Sequence, residues 1–542
     1  MRRLLDGDQV DDEHQCLATL DDPARSPAAI AQIGRNGQPT AAAHLHAGDT
    51  TVPSFDDLAC AQAEVEGLPT IPTCVELTAG APGNACIVND HSLADHRLVA
   101  IADLLVIDDE FGGRVALGDA DDGFVGHGSD STYDLSPMEE RAAQLDAAIS
   151  DIGAQWRADR TKRHARRHLD RADFDALRDA GMLAAVAPVE VGGLWQNAPS
   201  SLRALCQRYR LLASADPSVA LVSSMHSAVV AFWLASPDSE QVDWEDQRRA
   251  VFASAIAGEQ WGTITSEPGS GGDITRTRAI ARPCGGEAFI PGRTYAITGD
   301  KHFGSGSGIT HRMVTTAIPE GEVEPMLFVL DVRDRPWDGS VGLKLIAEWD
   351  GMGMAATQSH AMRLDGAQAV RLAWNGRLEQ LSRNAGPMIS TLFTAVVLGV
   401  LDEAIAVARQ QVTARANDLR SYEQVEWTRA ELDHWLAVQA YEGALRAVET
   451  GDHGAGLYAA LRAKTAVAEL AEATLTRVNR VLGGGTFSQR SPFAHWFEDV
   501  RALGFLRPPW GLAYDGLFAS SLAIDPTVGS TTGSTGDSSG RT

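Results

Sequence analysis

The stretch richest in groups that could do chemistry is Thr263-Ile264-Thr265-Ser266-Glu267-Pro268-Gly269-Ser270-Gly271-Gly272-Asp273. A second lies about thirty residues on, Ile297-Thr298-Gly299-Asp300-Lys301-His302-Phe303-Gly304-Ser305. By composition alone, glycine- and proline-rich segments between strand-like runs are turns. Histidine is the side chain whose ordinary pKa suits proton transfer near neutrality. His226 sits in Ser223-Ser224-Met225-His226-Ser227, on a helical stretch, and is the candidate for catalysis; a lone histidine there is more often a hydrogen-bonded structural residue. His302 and His311 flank the second segment as weaker candidates. His14, His44, His46, His91, His96 and His127 are scattered without ligand spacing, so no metal site is expected. The six cysteines form no C-x-x-C pattern and read as free thiols.

The elements that would position these residues follow in the order helices, sheet, helices. A boundary falls at Ser136-Pro137-Met138-Glu139, with an N-cap serine, proline at the first helical position and a glutamate three residues on. A helical region is expected over 136–255, including a helix through Asp170–Ala180 that stops at Gly181. Gly192-Gly193 marks a turn. Over 256–372 short β-type runs (Tyr295–Thr298, Met313–Ile318, Met326–Val332) alternate with Gly/Pro/Asp clusters, as in a small sheet or barrel. Long amphipathic helices return in 373–523 and suit a helical bundle. The Ser/Thr/Gly-rich end, 524–542, reads as a disordered tail.

Charge and composition bound the partners. The chain of 542 residues carries a net charge of −26, which argues against nucleic acid or an anionic membrane. Residues 1–137 hold 6 Arg, no Lys and 24 Asp+Glu, a balance of −18. No motif is readable in 1–135, which reads as an acidic extension, with Met138 as a candidate natural start. No apolar run is expected to reach the roughly 18 residues of a membrane span, and no secretory signal is readable. A cytoplasmic protein is expected.

The two segments together resemble the T-E-P-x-x-G-S-D and L-N-G-x-K-x-W-I-T signatures of acyl-CoA dehydrogenases. Phe174–Gly193, Asp350-Gly351-Met352-Gly353-Met354, Gly483-Gly484-Gly485-Thr486-Phe487 and Phe497-Glu498-Asp499-Val500-Arg501 resemble further motifs of that family. The resemblance spans roughly 137–523 and implies an α+β fold: an N-terminal helical domain, a middle β-barrel or sheet, and a C-terminal four-helix bundle. It also implies a flavin, FAD before FMN. Carried over by position, Thr263, Thr265 and Ser266 would contact the pyrimidine side and ribityl chain, with Phe303 near the ring and Ser305 at N5 or O4. Gly272 stands where the family has a serine, and Arg415 is what remains of a diphosphate-binding R-x-F-G.

The departures bear on the reaction. The family's catalytic glutamate falls at Arg507, and its alternative position falls at Ile389. Arginine stays protonated and cannot abstract an α-proton. The flavin monooxygenases of this scaffold carry a histidine near Arg507, where this chain has Leu506. Three readings follow: an acyl-CoA-dehydrogenase-like oxidoreductase acting on an acyl thioester or related small molecule, a monooxygenase using reduced flavin, or a non-catalytic flavin- or acyl-binding scaffold. The expected partners are an electron-transfer flavoprotein or a flavin reductase, within a homodimer or homotetramer.

Overall fold

The computed structural model describes residues 137–236, 242–506 and 508–522. The expectations for 1–135, Ser136, Arg507 and the 524–542 tail fall outside them. Six helices come first: α1 (Pro137–Ala158), α2 (Arg160–His164), α3 (Arg171–Asp179), α4 (Ala198–Ala215), α5 (Pro217–Leu234) and α6 (Val242–Ile256). The Asp170 carboxylate caps α3 by accepting from Ala172 N, and Gly181, at φ +89°, releases the chain after it. Buried Arg163 joins three helices, donating to Asp173 at 2.8 Å and to Asp216 at 2.7 Å. Asp216 also accepts from Val219 N and so starts α5.

Seven strands follow: β1 (Trp261–Thr263), β2 (Ile280–Pro283), β3 (Thr294–Gly304), β4 (Arg312–Pro319), β5 (Met326–Asp331), β6 (Leu343–Ala347) and β7 (His360–Arg371). The pairing closes on itself. β4 pairs with β2, β2 with β3, β3 with β7, β7 with β5, and β5 with β4 again. The sheet is therefore a barrel of five strands, with β1 beside β4 and β6 beside β7. Its apolar cluster, including Ile297, Phe328 and Leu364, is separate from the helical core.

The last part holds α7 (Leu378–Thr413), α8 (Ser421–Glu449), α9 (His453–Leu482), α10 (Pro492–Gly504) and α11 (Trp510–Ser521). α4 packs closely along α7 at Gly399, where a Cβ would lie 2.0 Å from the Arg210 carbonyl. Both α5 and α7 are long and apolar enough to cross a membrane by length and composition, with mean hydropathies of 1.4 and 1.9. The fold buries 94% and 78% of those stretches, because a helix apolar on all sides forms the centre of a large core. Both differ from the expectation that no apolar run is long enough, because small polar residues such as Ser223, Ser224 and Thr394 interrupt each stretch without lowering its mean hydropathy below that of a span.

Candidate functional site

The two segments singled out in the sequence meet on the barrel. His302 N donates to the Ser266 carbonyl at 2.8 Å, in an antiparallel bridge between them. Beneath that bridge lies a buried ion pair. Lys301 Nζ is 2.6 Å from Glu267 Oε1 and also donates to the Thr316 carbonyl at 2.6 Å. The Glu267 carboxylate further accepts from Arg278 N at 2.7 Å and Ala279 N at 3.2 Å. Burial raises the Glu267 pKa, but the bonds from Lys301, Thr277 and Arg278 N outweigh it and hold the carboxyl below its ordinary range. This knot pins the turn Pro268–Gly272 to β3.

Phe303 then departs from strand geometry. A bulge in β3 between Lys301 and Gly304 puts it at φ +58°, and its side chain stands 57% exposed. A non-glycine residue in that region costs about 1–2 kcal/mol, so the surrounding pairing must enforce it. Its ring meets Trp349 edge-on at 6.1 Å. Behind it, buried hydroxyls run in a chain: Ser305 Oγ to Ser359 Oγ at 2.8 Å, then to Thr357 Oγ1 at 2.7 Å, which donates to the Met354 carbonyl.

That carbonyl belongs to the Asp350–Met354 turn, which α10 holds. Met354 N donates to Asp499 Oδ1 at 2.6 Å, and a Cβ on Gly353 would lie 2.1 Å from the Glu498 carbonyl. Burial pushes the Asp499 carboxyl up to about 7, only partly offset by the Met354 N–H. Between this turn and α9–α11 opens a cleft of about 680 Å³. Its aromatic wall is Trp349, Phe505, Trp510 and Tyr514; its charged groups are Glu469, Glu472, Glu498 and Arg501. The Phe303–Trp349 contact makes the cleft and the two segments neighbours.

The structure thus brings Thr265, Ser266, Phe303 and Ser305 to one region, with Thr265 and Ser305 buried and Thr263 at the end of β1 leading into it. Gly272, at φ +83°, packs where a Cβ would lie 2.7 Å from the Pro509 ring, so close packing against the chain after α10 is enough to require glycine there. His226 is a different case from the one expected. It is fully buried, its Nε2 lies 2.9 Å from the Leu183 carbonyl, and its Nδ1 accepts from Trp261 N at 3.2 Å. Burial lowers its pKa to about 4. With both nitrogens engaged by backbone, it ties β1 to the helical domain. Likewise the Arg415 guanidinium donates to the Val481 carbonyl and lies 3.6 Å from Glu423, within the bundle. His311 Nδ1 accepts from Gln260 N. Ile389 packs half-buried on the helical core. Gly351, Met352, Gly353, Glu498 and Arg501 of the cleft lay in motifs read from the sequence, whereas Ser359, Thr357, Trp349, Glu469, Glu472, Phe505, Trp510 and Tyr514 did not; the one local signal for these was the i, i+3 spacing of Glu469 and Glu472 on α9.

A helical domain, a closed barrel and a helical bundle, with these segments at their meeting point, define the acyl-CoA dehydrogenase fold, and the chain resembles that superfamily. Butyryl-CoA dehydrogenase from Megasphaera elsdenii superposes with a TM-score of 0.60 at 16% identity, over 71% of this chain and 98% of that one. FMN-bound TdsC, the dibenzothiophene monooxygenase of Paenibacillus sp. A11-2, gives 0.58 at 19% identity over 71% and 98%. By sequence, the amino sugar nitrososynthase DnmZ of Streptomyces peucetius is 27% identical over 359 residues, 62% of this chain and 82% of that protein. No protein-family model matches the chain.

Proposed function

We propose that this chain is a flavin-dependent monooxygenase on the acyl-CoA dehydrogenase fold, using reduced flavin from a separate reductase, and not the acyl-thioester dehydrogenase that the resemblance put first. The observation that carries this is the pair of base positions. One is Ile389, an apolar residue packed on the helical core, and the other is Arg507 in the sequence. A lost general base costs roughly 10²–10⁴ in rate, and a monooxygenase needs none at the substrate α-carbon. The relatives support the same side, since those matched by sequence include an amino sugar nitrososynthase and dibenzothiophene monooxygenases.

The residues present fit a flavin. A flat ring system needs an apolar wall with hydrogen-bonding groups at its edge. The half-exposed Phe303 ring would be such a wall, and the buried residues Ser305, two positions on, and Thr265, next to the Ser266–His302 bridge, carry hydroxyls in the same region. The open turn at Gly269 and Gly271, where a Cβ would meet nothing, leaves backbone approachable. Arg415, the diphosphate candidate, is engaged by Val481 and Glu423, which favours FMN over the FAD expected from sequence. Reduced flavin supplies the two electrons with which one atom of dioxygen enters the substrate and the other leaves as water. The protein's share is to hold the ring against Phe303 and to shield it with the Trp349 turn and α10–α11.

Oxygen uptake separates the readings. With NADH, a flavin reductase and FMN, the full chain should consume oxygen in a substrate-dependent way. Under anaerobic conditions, a panel of acyl-CoA thioesters should leave its flavin absorbance unchanged. Rapid bleaching by a common acyl-CoA would overturn the proposal in favour of a dehydrogenase.

A further inference from the structure

The cleft carries an uneven charge. Among the described residues that line it, Glu469 and Glu472 lie on α9 and Glu498 on α10, against one cation, Arg501. Arg501 Nη1 is 3.2 Å from both oxygens of Glu498, so that pair is neutralised. Glu469 accepts from the Tyr514 hydroxyl, a neutral donor that leaves its charge in place. Neither Glu469 nor Glu472 has a cationic partner among the described residues. Lys464 stands behind the wall, 5.0 Å from the Trp510 ring, but its ammonium donates to the Gly504 carbonyl at 2.7 Å, and burial lowers its pKa to about 8. Three turns of physics then agree. Two carboxylates one helical turn apart share a face of α9. The aromatic faces beside them attract cations and receive apolar bodies. A phosphate-bearing ligand entering the same space would meet like charge, partly screened by solvent.

We infer that this cleft selects a cationic substrate, an amine on an apolar or aromatic body, and disfavours anionic ones such as CoA thioesters. The ammonium is held by Glu469 and Glu472, and the body lies on Trp510 and Trp349, which places its far end toward Phe303. This rests on the proposed function only in requiring that a small-molecule substrate come to the neighbourhood of Phe303, which the Trp349 contact joins to the cleft.

Tryptamine, indole and indole-3-propionate carry one ring system with charges of +1, 0 and −1. Calorimetric titration of the full chain as purified should give tryptamine about tenfold tighter binding than indole-3-propionate, the size of one partly screened ion pair. The double variant Glu469→Gln/Glu472→Gln should lose that preference while indole affinity and thermal midpoint stay unchanged, which separates lost charge from lost fold. Equal affinity for tryptamine and indole-3-propionate, no binding of any of the three, or a preference that survives in the double variant would overturn the inference. A chain that prefers tryptamine but shows no substrate-dependent oxygen uptake above the spontaneous oxidation of free reduced flavin keeps this inference and loses the monooxygenase reading. Substrate-dependent uptake without charge preference does the reverse.

Discussion

On the two sides of the Phe303–Trp349 contact, polar side chains are used in opposite ways. On the barrel side, Glu267 and Lys301 are buried and satisfied: the carboxylate takes two backbone N–H groups besides the ammonium, and the ammonium takes a carbonyl besides the carboxylate. On the helical side, Glu469 and Glu472 line an open cleft without a cationic partner among the described residues. A buried charge that is fully paired holds backbone in place and is closed to a ligand. A charge left facing a cavity keeps little for stability and much for recognition.

The comparison can be broken most directly at Lys301. Lys301→Met leaves the Glu267 carboxylate buried without its ammonium and should cost about 3–5 kcal/mol in urea unfolding. Adding Glu267→Leu should not restore it, because Arg278 N and Ala279 N then lose their acceptor, at about 1–3 kcal/mol each. A Lys301→Met chain within about 1 kcal/mol of the parent would mean that the knot is not what pins the turn. Glu472→Gln across the contact is the matching control, and by the same reasoning should change stability little.

A smaller effect sharpens the boundary between the regions at Asp499, which holds the Met354 turn. Its folded pKa of about 7 lies above its ordinary 3.8, so the folded protein binds the extra proton between those values. The stability it contributes is complete below the unfolded pKa and is lost as pH rises through about 7. Asp499→Asn keeps an oxygen for Met354 N and cannot ionise. The difference in thermal midpoint between variant and parent should therefore shift in the variant's favour from pH 4 to pH 8. A difference that stays constant with pH would show that the carboxyl titrates as an ordinary one.

The smallest effect on stability is expected at Phe303. Phe303→Gly relieves about 1 kcal/mol of left-handed backbone strain and removes the exposed ring. The thermal midpoint should hold or rise slightly while flavin affinity, read by fluorescence quenching, falls severalfold. Unchanged affinity would remove Phe303 from the cofactor's wall.

Local chemistry accounts for what could be read from the chain. The helix that ends at Gly181 and the runs that became β3, β4 and β5 are decided by neighbours in sequence, and so were visible there. The resemblance of the Thr263–Asp273 and Ile297–Ser305 segments pointed to the fold for the same reason, since both are contiguous stretches with glycines and hydroxyls at set offsets. His226 shows the limit. Its type and place were legible, but whether its nitrogens were free depended on Leu183 and Trp261, forty-odd residues before it and thirty-five after.

Sequence alone therefore determined the fold class, the two segments that build the barrel side, and the want of a carboxylate at Ile389 and Arg507. Tertiary structure decided that the strands close into a barrel and that the left-handed Phe303 ring faces outward. It also decided that α9, α10 and α11 meet the Trp349 turn around one cleft lined with carboxylates and aromatic rings. The physical reason is that each cleft residue is an ordinary one on its own helix. What makes Glu469, Glu472 and Trp510 a surface for a ligand is the convergence of three helices on one turn, which no period or spacing along the chain records.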